Sequence, residues 1–339
     1  MHALHRRPLS LAAIAAAVLL TAGCASAGAD AGQPAPQASD HAGGSGYPVT
    51  VDNCGTRVTF EQAPQRVITI KSSTTELLVA LGLGDRIVGQ GYPDGDIPGT
   101  IAGQPTGDVD IPVISDQVPG QEAALELEPD MVFAGWESNF SGEGVGDRAT
   151  LASLGVKTYV APSACKEPGY QPEKLSVDDV FSQIAEAGAI FGVPDAAEKL
   201  IDEQRSVLDA IEPVDGDVTA LWWSSGTDSP YVGGGIGAPQ MIMDAVGLTN
   251  VAAGIHDTWG PYNWESVVDA DPDVLVLVDA AWNPADKKIA DLQSNPATAG
   301  LDAVVNKRFV IVPFASTEAG VRNADAAASI ADQLHDLGY

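Results

Sequence analysis

The chain has 339 residues, 45% of them hydrophobic, and carries 46 acidic against 17 basic side chains, a formal net charge of −29. Acidity on this scale excludes a nucleic-acid binder, which needs a basic face, and repels anionic headgroups; it serves solubility and says nothing of a ligand.

Arg6 and Arg7 come first, followed by an apolar run over 9–20 and then Leu20-Thr21-Ala22-Gly23-Cys24. The run is too short to span a bilayer comfortably and ends in small residues, with no stop-transfer flank. Residues 1–23 therefore resemble a bacterial lipoprotein secretory signal, with Cys24 lipidated after cleavage; an ordinary signal with an incidental cysteine is the alternative. The first reading places the mature chain outside the cytoplasm, held to the outer face of the cell membrane by its lipid alone. Residues 24–46 are rich in Gly, Ala, Ser, Pro, Gln and Asp, too poor in large apolar side chains to offset the entropy of ordering, and read as a flexible tether. About 290 residues remain, enough for two modest domains or one large one.

Residues 47–60 alternate apolar and polar on either side of Asn53-Cys54-Gly55, a hairpin pattern. Strand-like runs at 66–71, 87–91, 113–115, 131–136 and 157–161 then alternate with helical patterns at 74–83, 120–128 and 147–154. Such alternation predicts an α/β lobe over 47–172 with a largely parallel sheet. A helical region over 176–211, interrupted at Gly192-Val193-Pro194, forms a connection spanning 173–215. A second alternation fills 216–339, with strands at 218–224, 274–279 and 308–314 and helices at 238–246, 264–269, 287–294 and 321–337. The fold class is α/β: two Rossmann-like lobes joined by a single long helix, with a ligand cleft between them and limited hinge motion. With Cys24 lipidated, Cys54 and Cys165 are an even pair in a disulfide-permissive compartment. They are expected to bridge the hairpin to the Pro/Gly-rich loop 162–169; two unpaired buried thiols are the alternative.

One pattern occurs in each lobe. Gln121-Glu122 opens a short amphipathic helix stopped by Pro129-Asp130 before an apolar strand; Trp264-Glu265 opens another, stopped by Pro272-Asp273. Proline ends the helix because it has no donor and restricts its predecessor. By itself this is ordinary turn chemistry, and a first-turn glutamate complements the helix dipole.

The lipobox, the hairpin, the segment Ile68–Gly82 (ITIKSSTTELLVALG) and these paired helices, taken in order, resemble the ABC-importer substrate-binding proteins with a rigid interlobe helix, whose members bind ferric siderophores, haem or cobalamin. The resemblance covers nearly all of the mature chain. It implies that Glu122 and Glu265, one on each lobe, dock onto arginines of a two-fold permease dimer, and that the protein works as a monomer without a cofactor. Residues 132–140 and 162–172 are most similar to an actinobacterial subgroup proposed to import the precursor of the deazaflavin redox coenzyme. That ligand has a planar ring and an anionic phosphodiester.

Ligands of α/β lobes gather at loops after the carboxyl ends of strands. Those loops hold Lys71, Ser72, Ser73, Tyr92, Trp136, Asn139, Trp222, Trp223 and Trp282, the candidate ligand contacts together with Arg322. Indole faces suit a flat or macrocyclic small molecule, and of Trp222 and Trp223 one must point inward, since neighbours on a strand alternate faces. Lys71, Lys166 and Arg322 are cations at or beside the cleft that suit an anionic ligand; Arg322 is equally a solvated residue at a helix start. The run Tyr231-Val232-Gly233-Gly234-Gly235-Ile236-Gly237 lacks P-loop and dinucleotide spacing and reads as a tight loop allowing close backbone approach to a ligand, with an anion at the following helix start also open.

Two other classes stand as alternatives. For a metal-ion-binding lipoprotein, His41, His256 and His335 lie in the tether, a loop and the terminal helix and do not converge, and an all-carboxylate site is conceivable but has no spacing signature. An exported hydrolase has no G-x-S-x-G elbow, no H-E-x-x-H and no credible triad, although acid pairs for a glycosidase abound.

Overall fold

A computed structural model of the chain describes residues 46–339 apart from Asp108. The proposed signal, Cys24, His41 and nearly all of the expected tether lie outside the described residues. Strands β1 (Val49–Asn53) and β2 (Thr56–Phe60) pair antiparallel across a two-residue turn in which Cys54 (φ 50°) and Gly55 (φ 76°) are both left-handed, the geometry that matches strand twist. The chain continues through β3 (Val67–Ile70), α1 (Ser72–Ala80), β4 (Ile87–Gly91), a small hairpin of β5 (Thr100–Ile101) and β6 (Gln104–Pro105), β7 (Val113–Ser115), α2 (Gln121–Leu125), β8 (Met131–Ala134), α3 (Arg148–Ser153) and β9 (Lys157–Val160). The five-stranded sheet has the order β7-β4-β3-β8-β9 and is parallel throughout. Every residue of β3 and β8 is buried, as expected of central parallel strands covered on both faces.

The connection is two helices, α4 (Val177–Phe191) and α5 (Pro194–Asp209), not one continuous helix, and they part at the interruption expected at Gly192-Val193-Pro194. Ser176 and Asp179 form a capping box at the start of α4, which ends on left-handed Gly192 (φ 72°), and Pro194 opens α5 where its missing N–H costs nothing. Where the helices meet, a Cβ on Gly188 would lie 2.4 Å from that of Ala197, so only small residues permit the approach.

The second sheet is built from β10 (Val218–Ser225), β11 (Tyr231–Gly233), α6 (Ala238–Ala245), β12 (Leu248–Asn250), β13 (Trp259–Pro261), α7 (Trp264–Ala270), β14 (Val274–Asp279), α8 (Ala285–Ser294), α9 (Asp302–Val305), β15 (Phe309–Pro313) and α10 (Asn323–Asp336). Its order is β13-β11-β10-β14-β15, with β12 beside the start of β10; β11 alone runs antiparallel to the others. One large apolar core runs continuously from the hairpin (Val51, Phe60) through α4 and α5 to α10 (Ile330, Leu334). Smaller clusters fill the opposite faces of the two sheets.

The sequence echo is also a geometric one. Glu128 (φ 47°) and Asp271 (φ 40°), each just before the Pro-Asp pair, are both left-handed; α7 ends directly on Asp271, whereas α2 stops at Leu125, three residues short of Glu128. In each lobe the aspartate after the proline then fixes a neighbouring strand: Asp130 accepts from the backbone N–H of Gln65 (2.7 Å) and Arg66 (3.1 Å), and Asp273 from that of Thr219 (2.9 Å). The bonds from Thr219, backbone first, hold the Asp273 carboxyl below its ordinary pKa.

Cys54 and Cys165, with Cα atoms 5.3 Å apart, form a disulfide across 111 residues of sequence. It ties the hairpin turn to the loop after β9. Asn53 docks beside it, exchanging hydrogen bonds with both the N–H and C=O of Val160 (2.8 Å each). Replacing both cysteines by serine is expected to lower the unfolding free energy by about 5 kcal/mol, the chain-entropy value for so long a loop, with the midpoint in urea as the readout.

Candidate functional site

Parallel strands deliver their carboxyl ends to one side, so the loops after β3, β4, β8, β14 and β15 all open onto the space between the lobes. Two adjoining cavities of about 370 and 1040 Å³ occupy it, sharing Trp136, Tyr231, Trp259 and Glu318 as walls.

At the head of α1, Lys71 is 1% exposed and holds φ 80°, a backbone conformation that L side chains rarely adopt. Its N–H is bonded to the carbonyl of Gly91 (3.0 Å), and its own carbonyl accepts from Thr74 (3.3 Å). The ammonium sits 4.0 Å from the Trp136 ring centroid, 4.1 Å from Tyr92 and 5.2 Å from Phe314, and is ion-paired with Asp94. An aromatic box with a carboxylate in its wall is the arrangement that holds a desolvated cation. Trp136 and Tyr92 meet edge to face at 5.7 Å, and Trp282, 61% exposed at the mouth of the larger cavity, meets Phe314 at 5.8 Å. Lys71, Tyr92, Trp136 and Trp282 are thus brought together, and Ser73 lines the smaller cavity.

Other expected contacts lie elsewhere. Trp222 and Trp223 are 0% and 2% exposed, packed in separate clusters on opposite faces of β10. Strand alternation turns one of them inward, as expected, but the helices covering the other face bury the second as well, so neither presents a face to the cleft. Asn139 is buried and accepts from the backbone N–H of Trp136 (3.1 Å), and Ser72 accepts from that of Asp94 (2.8 Å); both shape loops. The glycine run approaches protein backbone, not ligand. Gly234 and Gly235 donate to the carbonyls of Thr258 (2.9 Å) and Ile255 (2.8 Å), and a Cβ on either would lie within 2.2 Å of a carbonyl oxygen in the 253–257 loop.

The cations intended for an anionic ligand are all committed to carboxylates. Arg322 makes a two-pronged pair with Glu76 on α1, its Nε at 2.6 Å from Oε2, and a further bond to the carbonyl of Asp96 (2.8 Å). Burial pushes the Glu76 carboxyl above its ordinary pKa, with Arg322 opposing. Lys166 pairs with Asp257 at 2.7 Å; burial works against the Asp257 charge, but Lys166 and the N–H of Thr258 outweigh it and leave the pKa lowered. These pairs join one lobe to the other, as do Trp136 Nε1 to Glu318 Oε2 (2.7 Å) and the backbone N–H of Ala102 to Asp325 (2.8 Å).

Sequence reading missed Glu318, Asp94, Glu76 and Lys288. Glu318 follows β15 in a loop of small residues; burial raises its pKa against the pull of Lys71, and its Oε1 is buried without a hydrogen-bond partner. Lys288, fully buried on α8, donates to the carbonyls of Val278 and Asn283 (2.6 Å each) and so fixes the loop carrying Trp282; burial lowers its pKa to about 8. The positions of Glu318 and Asp94 shortly after predicted strands offered the one signal. Glu76 and Lys288 are single charges inside helical stretches.

Glu122 and Glu265 are exposed in the first turns of α2 and α7. Among the described residues no group of three or more His, Cys, Asp or Glu is arranged to hold a metal ion, and no helix is long and apolar enough to cross a membrane. For the Glu76–Arg322 pair, Arg322→Met alone leaves a buried carboxylate uncompensated and should destabilise by about 3 kcal/mol, while Glu76→Leu with Arg322→Met recovers most of the loss in a double-mutant cycle followed by urea unfolding.

Comparison with known proteins agrees with this architecture. Residues 67–315 match the periplasmic binding protein family model. The cobalamin-binding protein of Halobacterium salinarum is 29% identical over 284 residues, covering 80% of this chain and 69% of the relative. An uncharacterized ABC transporter substrate-binding lipoprotein of Bacillus subtilis is 23% identical over 96% of both chains. The crystal structure of a periplasmic binding protein from Veillonella parvula superposes with a TM-score of 0.73 at 26% identity, covering 86% of this chain and 97% of that one. This chain is accordingly a binding protein, not an enzyme, and belongs to the periplasmic binding protein family.

Proposed function

We propose that the protein captures a corrinoid in the cleft and delivers it to the permease of an ABC importer, acting as a monomer outside the cytoplasm and anchored through a lipid on Cys24. The observation that carries this reading is the pair of adjoining cavities walled by Trp136, Trp259, Tyr92 and Trp282 at the carboxyl ends of the strands, broad enough together for a macrocycle and offering ring faces to it. The cobalamin-binding and ABC transporter relatives support the ligand class and the transport role respectively. A deazaflavin-coenzyme precursor has a suitable flat ring, but its phosphodiester would meet carboxylates where free cations were expected. A ferric siderophore or haem is the outcome against which the corrinoid is tested. The exposed glutamates Glu122 and Glu265, at matching positions on the two lobes, are the proposed permease contacts, each able to make charge-assisted bonds to a basic pocket.

Titration of the purified protein with a corrinoid should quench tryptophan fluorescence, and Trp136→Ala should weaken binding by about tenfold through lost ring contact. Binding of a ferric hydroxamate or haem with no corrinoid binding would overturn the ligand class. In whole-cell uptake, Glu122→Ala with Glu265→Ala should abolish transport while leaving the titration unchanged; a double variant that no longer binds ligand would sink the docking assignment.

A further inference from the structure

The charges lining the cleft are far from balanced. Around the larger cavity Asp94, Asp96, Asp110, Asp116 and Glu318 face one cation, Lys71, whose ammonium is already enclosed by rings and paired with Asp94. Lys166, which lines the smaller cavity, is paired with Asp257, and Arg322 is taken by Glu76. At the junction of the two cavities lies the Glu318 carboxylate, with Oε2 bonded to Trp136 and Oε1 buried and without a partner. A buried carboxylate oxygen that accepts nothing is expensive, and the cost is removed by whatever brings a positive charge or a donor to it. The low-dielectric aromatic walls strengthen that attraction and focus the field of the outer aspartates into the cleft.

We propose that the cleft selects ligands by positive charge, with the Glu318 carboxylate receiving the cationic part of the ligand and Asp110 and Asp116 steering it in. The box around Lys71 illustrates the chemistry in place: the same walls hold a protein ammonium between ring faces and a carboxylate. This specificity rests on the corrinoid reading for its probes, and the experiment separates the two.

Binding of aquocobalamin, a monocation, cyanocobalamin, which is neutral, and a monocarboxylate of cyanocobalamin, an anion, is measured by calorimetry at low and high salt. The expected order is cation over neutral over anion, by about tenfold per unit of charge at low salt and less at high salt. Glu318→Gln, which keeps an acceptor for Trp136, should compress the steps to about threefold or less by removing the receiving charge. Asp110→Asn with Asp116→Asn, at exposed positions that cannot unfold the core, should lower the association rate and flatten its salt dependence. Equal affinities across the series, or a series unchanged by both variants, would overturn the charge selectivity while leaving the corrinoid reading intact. Failure of all three corrinoids to bind would overturn both.

Discussion

The cleft is organised around one buried ammonium. Lys71 cannot be 1% exposed and charged unless its surroundings replace water, and they do so with Asp94, the negative ring faces of Trp136 and Tyr92, and the more distant Glu318. Each of those partners has a second obligation. Trp136 donates to Glu318 on the opposite lobe, and Asp94 receives the backbone N–H at the start of α1 while its own N–H goes to Ser72. Moving the lysine would therefore disturb the loop after β4, the loop after β8 and the contact between lobes at once. That interdependence is a physical reason for tolerating its left-handed backbone at a helix start.

The two sheets reach the cleft by the same local device. A short helix opens with an exposed glutamate, a left-handed residue follows before Pro-Asp, and the aspartate pins the start of the neighbouring strand. The strand registers on either side are thus set by side-chain-to-backbone bonds at the end opposite the cleft, leaving the carboxyl-end loops free to differ. They differ in chemistry: the first sheet supplies Lys71, Tyr92 and Trp136, the second Trp282, Phe314 and Glu318.

What was legible in the chain was what short-range pattern carries. Largely apolar runs marked β3, β8 and β14, turn chemistry marked the hairpin, and Pro-Asp marked the helix ends. Burial of both Trp222 and Trp223 was not legible, because alternation assigns opposite faces but says nothing of what covers them. Nor were the partners of the cations: Glu76 and Arg322 lie 246 residues apart, and nothing local to either indicates the other. The glycines after β11 announced a close approach without naming what approaches. Long-range pairing decided the charge of the cleft, and it reversed the sign expected from the cations alone.

The meeting of α4 and α5 has a mechanical consequence. With Gly188 and Ala197 in contact and α5, about 24 Å long by helical rise, sharing one core with both sheets, the span behaves as a strut. In the proposed docking role, two lobes mounted on such a strut would keep Glu122 and Glu265 at a nearly fixed spacing, like calipers, and the distance between them would carry no message about cargo. A partner that must distinguish loaded from empty protein has to read the mouth of the cleft itself, where Trp282 stands exposed and a seated molecule would change both the contour and the charge that an approaching surface meets.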